Sequence, residues 1–275
     1  MYTIIGLGNV GCDLAELFEG NQEYKVKLID VDIEGENCFS LSQQKTAEAY
    51  EKNVPDLSSF FVDTTDKVIL ILDGSATIAG SALQILKQLN NKEINVLYIR
   101  SDVEMFGSVS KLQDRVTFNV LQEYARSGIF KNIFLISTPE IENVLGDMPI
   151  VEYNKNINKV IYNAFSGVIK FQNEDAVIDN FSAPKEVSRI VTFGVYDLEK
   201  DVEKLFYPMD FIDDKCYYFG INESDLKTNG KLFRVIKERM REKVLDKTKI
   251  SYRIHHTSYE QSFCYVAAWS RKVQE

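Results

Sequence analysis

The sequence predicts an α/β fold with a mainly parallel sheet, a long central helix and then a smaller α+β domain. Three observations predict it. Short, continuously apolar runs alternate with helical patterns through residues 1–150, as strands buried on both faces of a parallel sheet require. Residues 152–171 carry apolar positions at helical spacing without a break. Beyond them the segments stop alternating regularly, which is an α+β pattern.

Residues 2–7, YTIIGL, predict a buried strand ending in glycine, and a helix follows from Gly11 to Glu19. Residues 25–31, KVKLIDV, alternate and end in acids, a second strand. Residues 34–60 are polar and weakly patterned, so loops and one helix near Gln44–Lys52 are expected. Strands at 67–72, Ile94–Ile99 and Asn132–Ile136 alternate with helices at Ala82–Leu89 and Ser110–Ser127. In the central helix Ile157, Val160, Ile161, Ala164, Phe165 and Val168 share one stripe. After it NEDAVIDNFSAPKE reads as a loop, Arg189–Val195 as a strand, Leu198–Phe206 as a helix, Lys215–Gly220 as a strand and Lys231–Lys243 as a helix. Lys249–His255 and Ser262–Ala268, with TSYEQ between, predict a closing β-hairpin or near-hairpin. The domains expected are residues 1–150, a central helix at 151–172 and a C-terminal domain at 173–275.

The 275 residues carry a formal net charge of -9, which argues against holding nucleic acid through its phosphates. One small anion is a different matter, because backbone amides can hold it without side-chain charge. Cys12, Cys38, Cys216 and Cys264 are far apart and form no CxxC pair, so free thiols in a reducing compartment are expected, and no metal site. No apolar run has the length of a membrane span, and MYTIIGLGNV lacks the features of a signal peptide; a cytoplasmic protein is expected. His255 and His256 are neighbours on a predicted strand and face opposite ways, one at the surface and one half-buried. The aromatic segments Phe206–Phe211 and Cys216–Phe219 read as core or interface, and the charged run Lys237–Lys249 as a solvated helix face.

Two loops carry the candidate chemistry. Gly6-Leu7-Gly8-Asn9-Val10-Gly11 lies between a strand and a helix, with Cys12 next. Glycine there lets the backbone turn sharply and approach a phosphate, while the helix amides point at the anion. This is the turn of a Rossmann-like nucleotide-binding domain, and Asp30 or Asp32 stands where such a fold places a ribose-binding acid. The second loop, Asp73-Gly74-Ser75-Ala76-Thr77-Ile78-Ala79-Gly80-Ser81, is also between a strand and a helix. Its small residues admit an anion to the backbone, and Ser75, Thr77 and Ser81 offer hydroxyls. A dinucleotide-binding domain needs no second loop of this kind, whereas a fold that wraps a nucleoside triphosphate between two loops does.

Together these features resemble the tubulin/FtsZ superfamily, of which this chain would be a short, divergent member. The family's signature loop has the form GGGTG[ST]G; here it is GSATIAGS, with Gly74, Thr77 and Gly80 at matching positions and Ser75, Ala76, Ile78 and Ala79 departing. IRSDVEMFGSVSKLQDR takes the place of the family's next strand-to-helix segment, Phe106-Gly107 matching in part. The family's central helix begins with a guanine-reading asparagine, and Asn158-Lys159-Val160-Ile161 fits that place; Tyr153 or Asn154 lies where an aromatic ring stacks on the base. The two closing strands, ISYRIHHTSYEQSFCYVAAWS, have the family's shape. The resemblance implies GTP or GDP as cofactor, with Mg2+ as an optional companion, and self-association head to tail in a filament. It implies binding through Gly6, Gly8, Asn9, Gly11, Cys12, Gly74, Ser75, Ala76, Thr77, Gly80 and Asn158.

The departure with most consequence is in the loop after the central helix. The family has acids there in an NxDFxD pattern, which reach the next subunit's nucleotide and help activate water. Here Ile178-Asp179-Asn180-Phe181-Ser182-Ala183-Pro184 puts Asn180 and Ala183 at the two acidic positions, and neither can act as a base. Asp179, one residue out of register, and Asn180 are the candidate catalytic residues of what is a weak GTPase at most. Three functions are open at this point: a filament-forming nucleotide-binding protein, a non-polymerising pseudo-GTPase scaffold, and an NAD-dependent oxidoreductase built on the GxGxxG turn. Gly11→Val is expected to abolish nucleotide binding and leave the fold intact.

Overall fold

Strand β1 (Tyr2–Leu7) is buried from Thr3 onward, since its run has no polar face to turn to water. In the computed structural model, which describes residues 1–244 and 248–274, it is the middle of an all-parallel sheet. β1 pairs with β2 (Tyr24–Asp30) on one side and with β4 (Lys67–Asp73) on the other. β2 continues to β3 (Cys38–Ser40), and β4 continues to β5 (Glu93–Arg100) and β6 (Asn132–Ser137). The order β3-β2-β1-β4-β5-β6 reverses direction between β1 and β4. A crevice opens at the carboxyl ends of the strands at such a reversal, where doubly wound folds place their ligands. Both glycine-containing loops leave from these two strands.

The connecting helices are α1 (Gly8–Glu16), α2 (Ala47–Lys52), α3 (Ala82–Lys87), α4 (Ser108–Arg126) and α5 (Thr138–Leu145). A 3-10 turn at Thr77–Ser81 leads into α3. β3 and α5 were not legible in the sequence: β3 has three residues, too few for a period to show, and α5 follows β6 without a spacer. α6 (Tyr153–Asn173) is the long helix expected. It runs through the boundary between two compact units, Met1–Tyr162 and Asn163–Glu275.

The second unit is a mixed sheet of β8 (Ile190–Asp197), β9 (Val202–Leu205), β10 (Asp214–Asn222), β11 (Lys249–Thr257) and β12 (Phe263–Ser270), edged by β7 (Ile178–Asp179). Two sequence expectations fail here. Leu198–Phe206 is not a helix but a turn and β9, antiparallel to β8. The Asp197 carboxylate accepts hydrogen bonds from the amides of Glu199 and Lys200, each at 3.0 Å, and Asp201 turns the chain at φ +54°. That local capture reverses the chain where apolar spacing alone resembled helix. The closing strands are not a hairpin either. β10 lies between them, parallel to β11 and antiparallel to β12. The connection crosses the end of β10, pinned by Asn222, whose side chain donates to the carbonyl of Glu260 at 3.1 Å and whose amide donates to the Ser262 hydroxyl at 3.2 Å. β10 displaces the local pairing because its run, DKCYYFGIN, is buried nearly throughout and needs a partner on each side.

α7 (Glu223–Thr228) follows β10, capped by Asn222, and α8 (Leu232–Glu242) buries Ile236 and Met240 among Tyr217, Phe219, Tyr252 and Val266. Residues 245–247 of the charged run lie outside the described residues. Within this unit the end of α6 packs on the sheet through Phe165 on Phe193 and Phe171 on His255, with rings 5.5 Å and 4.3 Å apart. Gly167 lets the helix close on Tyr265, since a Cβ there would stand 2.4 Å from the ring.

His256 is exposed and His255 is buried, as alternation along β11 requires. Burial and the Arg253 charge lower the His255 pKa from 6.5 to about 4. The folded chain therefore excludes a proton that the unfolded chain takes up between those values. The contribution of neutral His255 is complete above pH 6.5 and is lost as pH falls toward 4, at most about 1.4 kcal/mol per pH unit. Melting temperature should drop between pH 7 and pH 5 more in the wild type than in His255→Gln; equal drops would remove His255 as the cause.

Candidate functional site

α1 starts where β1 stops because of three glycines. Gly8 has φ +72°, a conformation that glycine adopts at little cost. A Cβ on Gly6 would stand 2.7 Å from the Cα of Cys12, and one on Gly11 would stand 2.4 Å from the carbonyl oxygen of Ile71 in β4. Gly6 and Gly11 thus let the helix lie directly on two strands, and valine at 11 would strain the fold itself. The expectation that Gly11→Val leaves the fold intact is corrected accordingly. The Cys12 thiol is buried and faces the carbonyls of Gly6 and Ile29 at 3.5 and 3.7 Å. Burial, then the Asp30 charge, pushes its pKa up to about 12, so no thiolate is available there.

Beside the first turn of α1 is a cavity of about 240 Å³. Asn9, Val10 and Asp13 of α1 form one wall, and Ser101, Asp102, Met105 and Phe106 beyond β5 another. Thr138 of α5 and Tyr153, Asn154, Ile157 and Asn158 of α6 complete it. Asn9 and Asn158, far apart in sequence, are thereby brought to one site, with Tyr153 next to them. The Tyr153 hydroxyl donates to Glu142. Burial and that bond push the tyrosine pKa up to about 12, so the ring is a fixed, neutral wall. Asn offers both a donor and an acceptor and can read a purine edge. Asp13, whose pKa is raised by desolvation and by Asp30, and Asp102 suit hydroxyl or amino donors and disfavour phosphate on this side. Sequence reasoning missed Asp13, Ser101, Asp102 and Thr138 as lining residues; only their positions at strand ends and on the outer face of α1 could have signalled them. Asp30 accepts from the amide of Val31 at 2.8 Å and is not part of the lining.

The second loop meets the first through Gly8, whose absent Cβ leaves room for Ile78. Its glycines answer packing demands: a Cβ on Gly74 would overlap the Tyr98 hydroxyl at 1.6 Å, and one on Gly80 would stand 2.2 Å from the Ala47 carbonyl. Tyr98 cannot withdraw, since its hydroxyl donates at 2.7 Å to the buried Asp114, which also pairs with Arg100 at 3.1 Å. The expected hydroxyls are largely engaged. Ser75 donates to Asp73 at 2.7 Å and Ser81 to the carbonyl of Ile78 at 2.7 Å, while Thr77 is exposed. Ala76 precedes the 3-10 turn, its amide bonded to the Asp73 carbonyl.

The candidate catalytic pair is in the second unit. Asp179 stands 3.4 Å from the Nε of Arg253. Asn180 exchanges two bonds with Tyr252, its side-chain oxygen accepting from the Tyr252 amide at 2.7 Å and its own amide donating to the Tyr252 carbonyl at 3.2 Å. Arg253 also donates to the carbonyls of Phe171 and Glu174 at 2.7 and 2.8 Å, which fixes the loop to the end of α6.

Gly11→Ala and Gly74→Ala should each lower the unfolding free energy by about 1–3 kcal/mol or more, as overpacking does. Urea denaturation measures this; unchanged stability in both would mean that the glycines are not there for packing.

No protein-family model and no curated protein matches the chain. Solved structures do. An empty FtsZ dimer from M. jannaschii matches with a TM-score of 0.70 and 13% identity over 98% of this chain and 88% of that one. A GTPγS-form protofilament of TubZ from Bacillus thuringiensis serovar israelensis matches with a TM-score of 0.69 and 13% identity, over 98% and 86% of the two chains. A TubZ-Bt two-stranded filament matches with a TM-score of 0.70 and 12% identity, over 98% and 84%. With coverage this complete at identity this low, the chain has the tubulin/FtsZ fold.

Proposed function

We propose that this protein binds a guanine nucleotide in the cleft at the reversal of the parallel sheet, associates with copies of itself head to tail, and hydrolyses the nucleotide slowly or not at all. The observation that carries the reading is the cavity where the first turn of α1, Asn9, Tyr153 and Asn158 meet. Base and ribose suit the wall with Tyr153, Asn158 and the two acids, and phosphates suit the amides at the start of α1. The similar TubZ structures are a GTPγS-form protofilament and a two-stranded filament, which supports a nucleotide-linked assembly. Self-association is also supported by an exposed apolar stripe on α4, where Val109, Leu112 and Val116 are 80%, 62% and 52% exposed. Among the described residues no group of three acidic, histidine or cysteine side chains is placed to hold a metal, so Mg2+ would be held mainly by the phosphates. No helix among the described residues is long and apolar enough to cross a membrane. We place the protein in the cytoplasm, to which its free cysteines are suited.

The bonds of Asp179 and Asn180 support a second reading, a scaffold that binds nucleotide without a filament cycle. A water-activating role would need Asp179 to leave Arg253, and Asn180 cannot accept a proton.

Melting the protein with GTP, GDP, ATP and NAD separates the readings. GTP and GDP should stabilise it, by about 2.7 kcal/mol at a hundred times Kd, and Asn158→Ala should weaken both about tenfold more than it weakens ATP. Stabilisation by NAD alone would replace this reading with a dehydrogenase. Phosphate release should be slow, and Asn180→Asp combined with Ala183→Asp should raise it as protein concentration rises. Sedimentation with GTP decides between filament and scaffold.

A further inference from the structure

Asp73, the last residue of β4 and the first of the second loop, is 7% exposed. Its carboxylate collects three neutral donors. One oxygen accepts from the Ser75 amide at 2.8 Å and the Ser75 hydroxyl at 2.7 Å; the other accepts from the Ser101 hydroxyl at 2.7 Å. Ser101 is 28 residues away in sequence and lines the cleft described above. The contact is therefore tertiary and reaches the candidate site, in addition to the local turn made by Ser75. Among the described residues no cationic side chain is within ion-pair distance of Asp73. Amides and hydroxyls converging on a carboxylate are the donor set that also holds a phosphate.

Several further donors of the loop are turned inward, Thr77 staying exposed. The Gly74 amide donates to the Ile99 carbonyl at 3.2 Å, Ala76 to the Asp73 carbonyl at 3.2 Å and Ala79 to the Ala76 carbonyl at 2.9 Å. The Ser81 hydroxyl returns to Ile78. A loop whose composition suits anion binding is thus closed around an anion of its own chain.

We infer that Asp73 is a built-in substitute for phosphate: its carboxylate fills the anion cradle of the β4–α3 loop, so this chain clamps a nucleotide through the first turn and the cleft alone and does not distinguish triphosphate from diphosphate. A second anion at the loop would meet the Ser75, Ser81, Gly74, Ala76 and Ala79 donors already engaged and a buried like charge beside them. The inference rests on the nucleotide reading of the cleft, but the loop can be tested separately. It also gives a ground for slow turnover that is independent of Asn180 and Ala183, because a terminal phosphate without a clamp is not oriented for attack by water.

The test uses tripolyphosphate, GTP and GDP with the full chain, measured by calorimetry. Wild type should bind tripolyphosphate only as weakly as the first turn alone allows, and GTP and GDP within about twofold of each other. Asp73→Ser shortens the side chain and frees the donors; it should admit tripolyphosphate and favour GTP over GDP by about tenfold, the worth of one charge-assisted hydrogen bond. Asp73→Asn keeps an acceptor for the Ser75 amide and removes the charge, so it should shift in the same direction by less, and it decides the matter if Asp73→Ser does not fold. Tripolyphosphate binding as tight in wild type as in Asp73→Ser, a tenfold preference of wild type for GTP over GDP, or folded variants that gain no affinity for tripolyphosphate would each overturn the inference. Failure of GDP to bind any form would instead remove the nucleotide reading, with tripolyphosphate still deciding the role of Asp73.

Discussion

Direct contact between a helix and the main chain of two parallel strands is the constraint on which the first unit depends. Gly6 and Gly11 have no side chains because α1 lies on β1 and β4 at backbone distance. That contact sets where α1 begins, and so where its unbonded amides point. It also fixes the first turn next to the Ile78 side of the second loop. The cleft follows from this placement: it is the space left beyond the strand ends once α1, the segment after β5 and the start of α6 are set.

A second constraint is chemical. Buried Tyr98 and Asp114 and half-buried Arg100 form a hydrogen-bonded group behind the second loop, and Arg100 also lies over the ring of Phe118 at 4.7 Å. A buried pair of this kind is costly to break, because the partner left behind keeps an uncompensated charge. It anchors α4 to β5 and holds the Tyr98 hydroxyl where only glycine fits at position 74. A residue that resembles a phosphate-loop glycine is thus fixed by an aromatic ring. In the second unit Arg253 has the equivalent role, joining the last carbonyls of α6 to Asp179 and lying 5.2 Å from the Phe181 ring. Charges held by several partners, rather than single surface ion pairs, hold the candidate loops in both units.

The cleft was partly legible beforehand. Asn158 was picked out by the resemblance, in the second turn of the long helix, and Gly8 because a strand-turn-helix needs a left-handed residue. The acids of the cleft were not, since Asp13 and Asp102 belong to no motif and meet only when α1 and β5 are placed. The composition of the second loop says that an anion can be accommodated but not which anion, and Asp73 was read only as the first residue of that loop.

The sequence by itself determined what depends on neighbours along the chain. The period of the apolar runs set β1, β2, β4, β5 and β6, and the stripe on residues 152–171 set α6. Tertiary structure alone decided what depends on residues far apart. β10 enters between β11 and β12 because a strand buried on both edges gains more from two partners than the closing strands gain from each other. β9 replaces a helix because Asp197 captures two amides and Asp201 reverses the chain. Ser101, brought from another strand end, completes the ring of donors around Asp73. Local periodicity carries information about burial, but a hydrogen-bonding group takes whichever partner the fold brings within reach, and that choice is absent from the linear pattern.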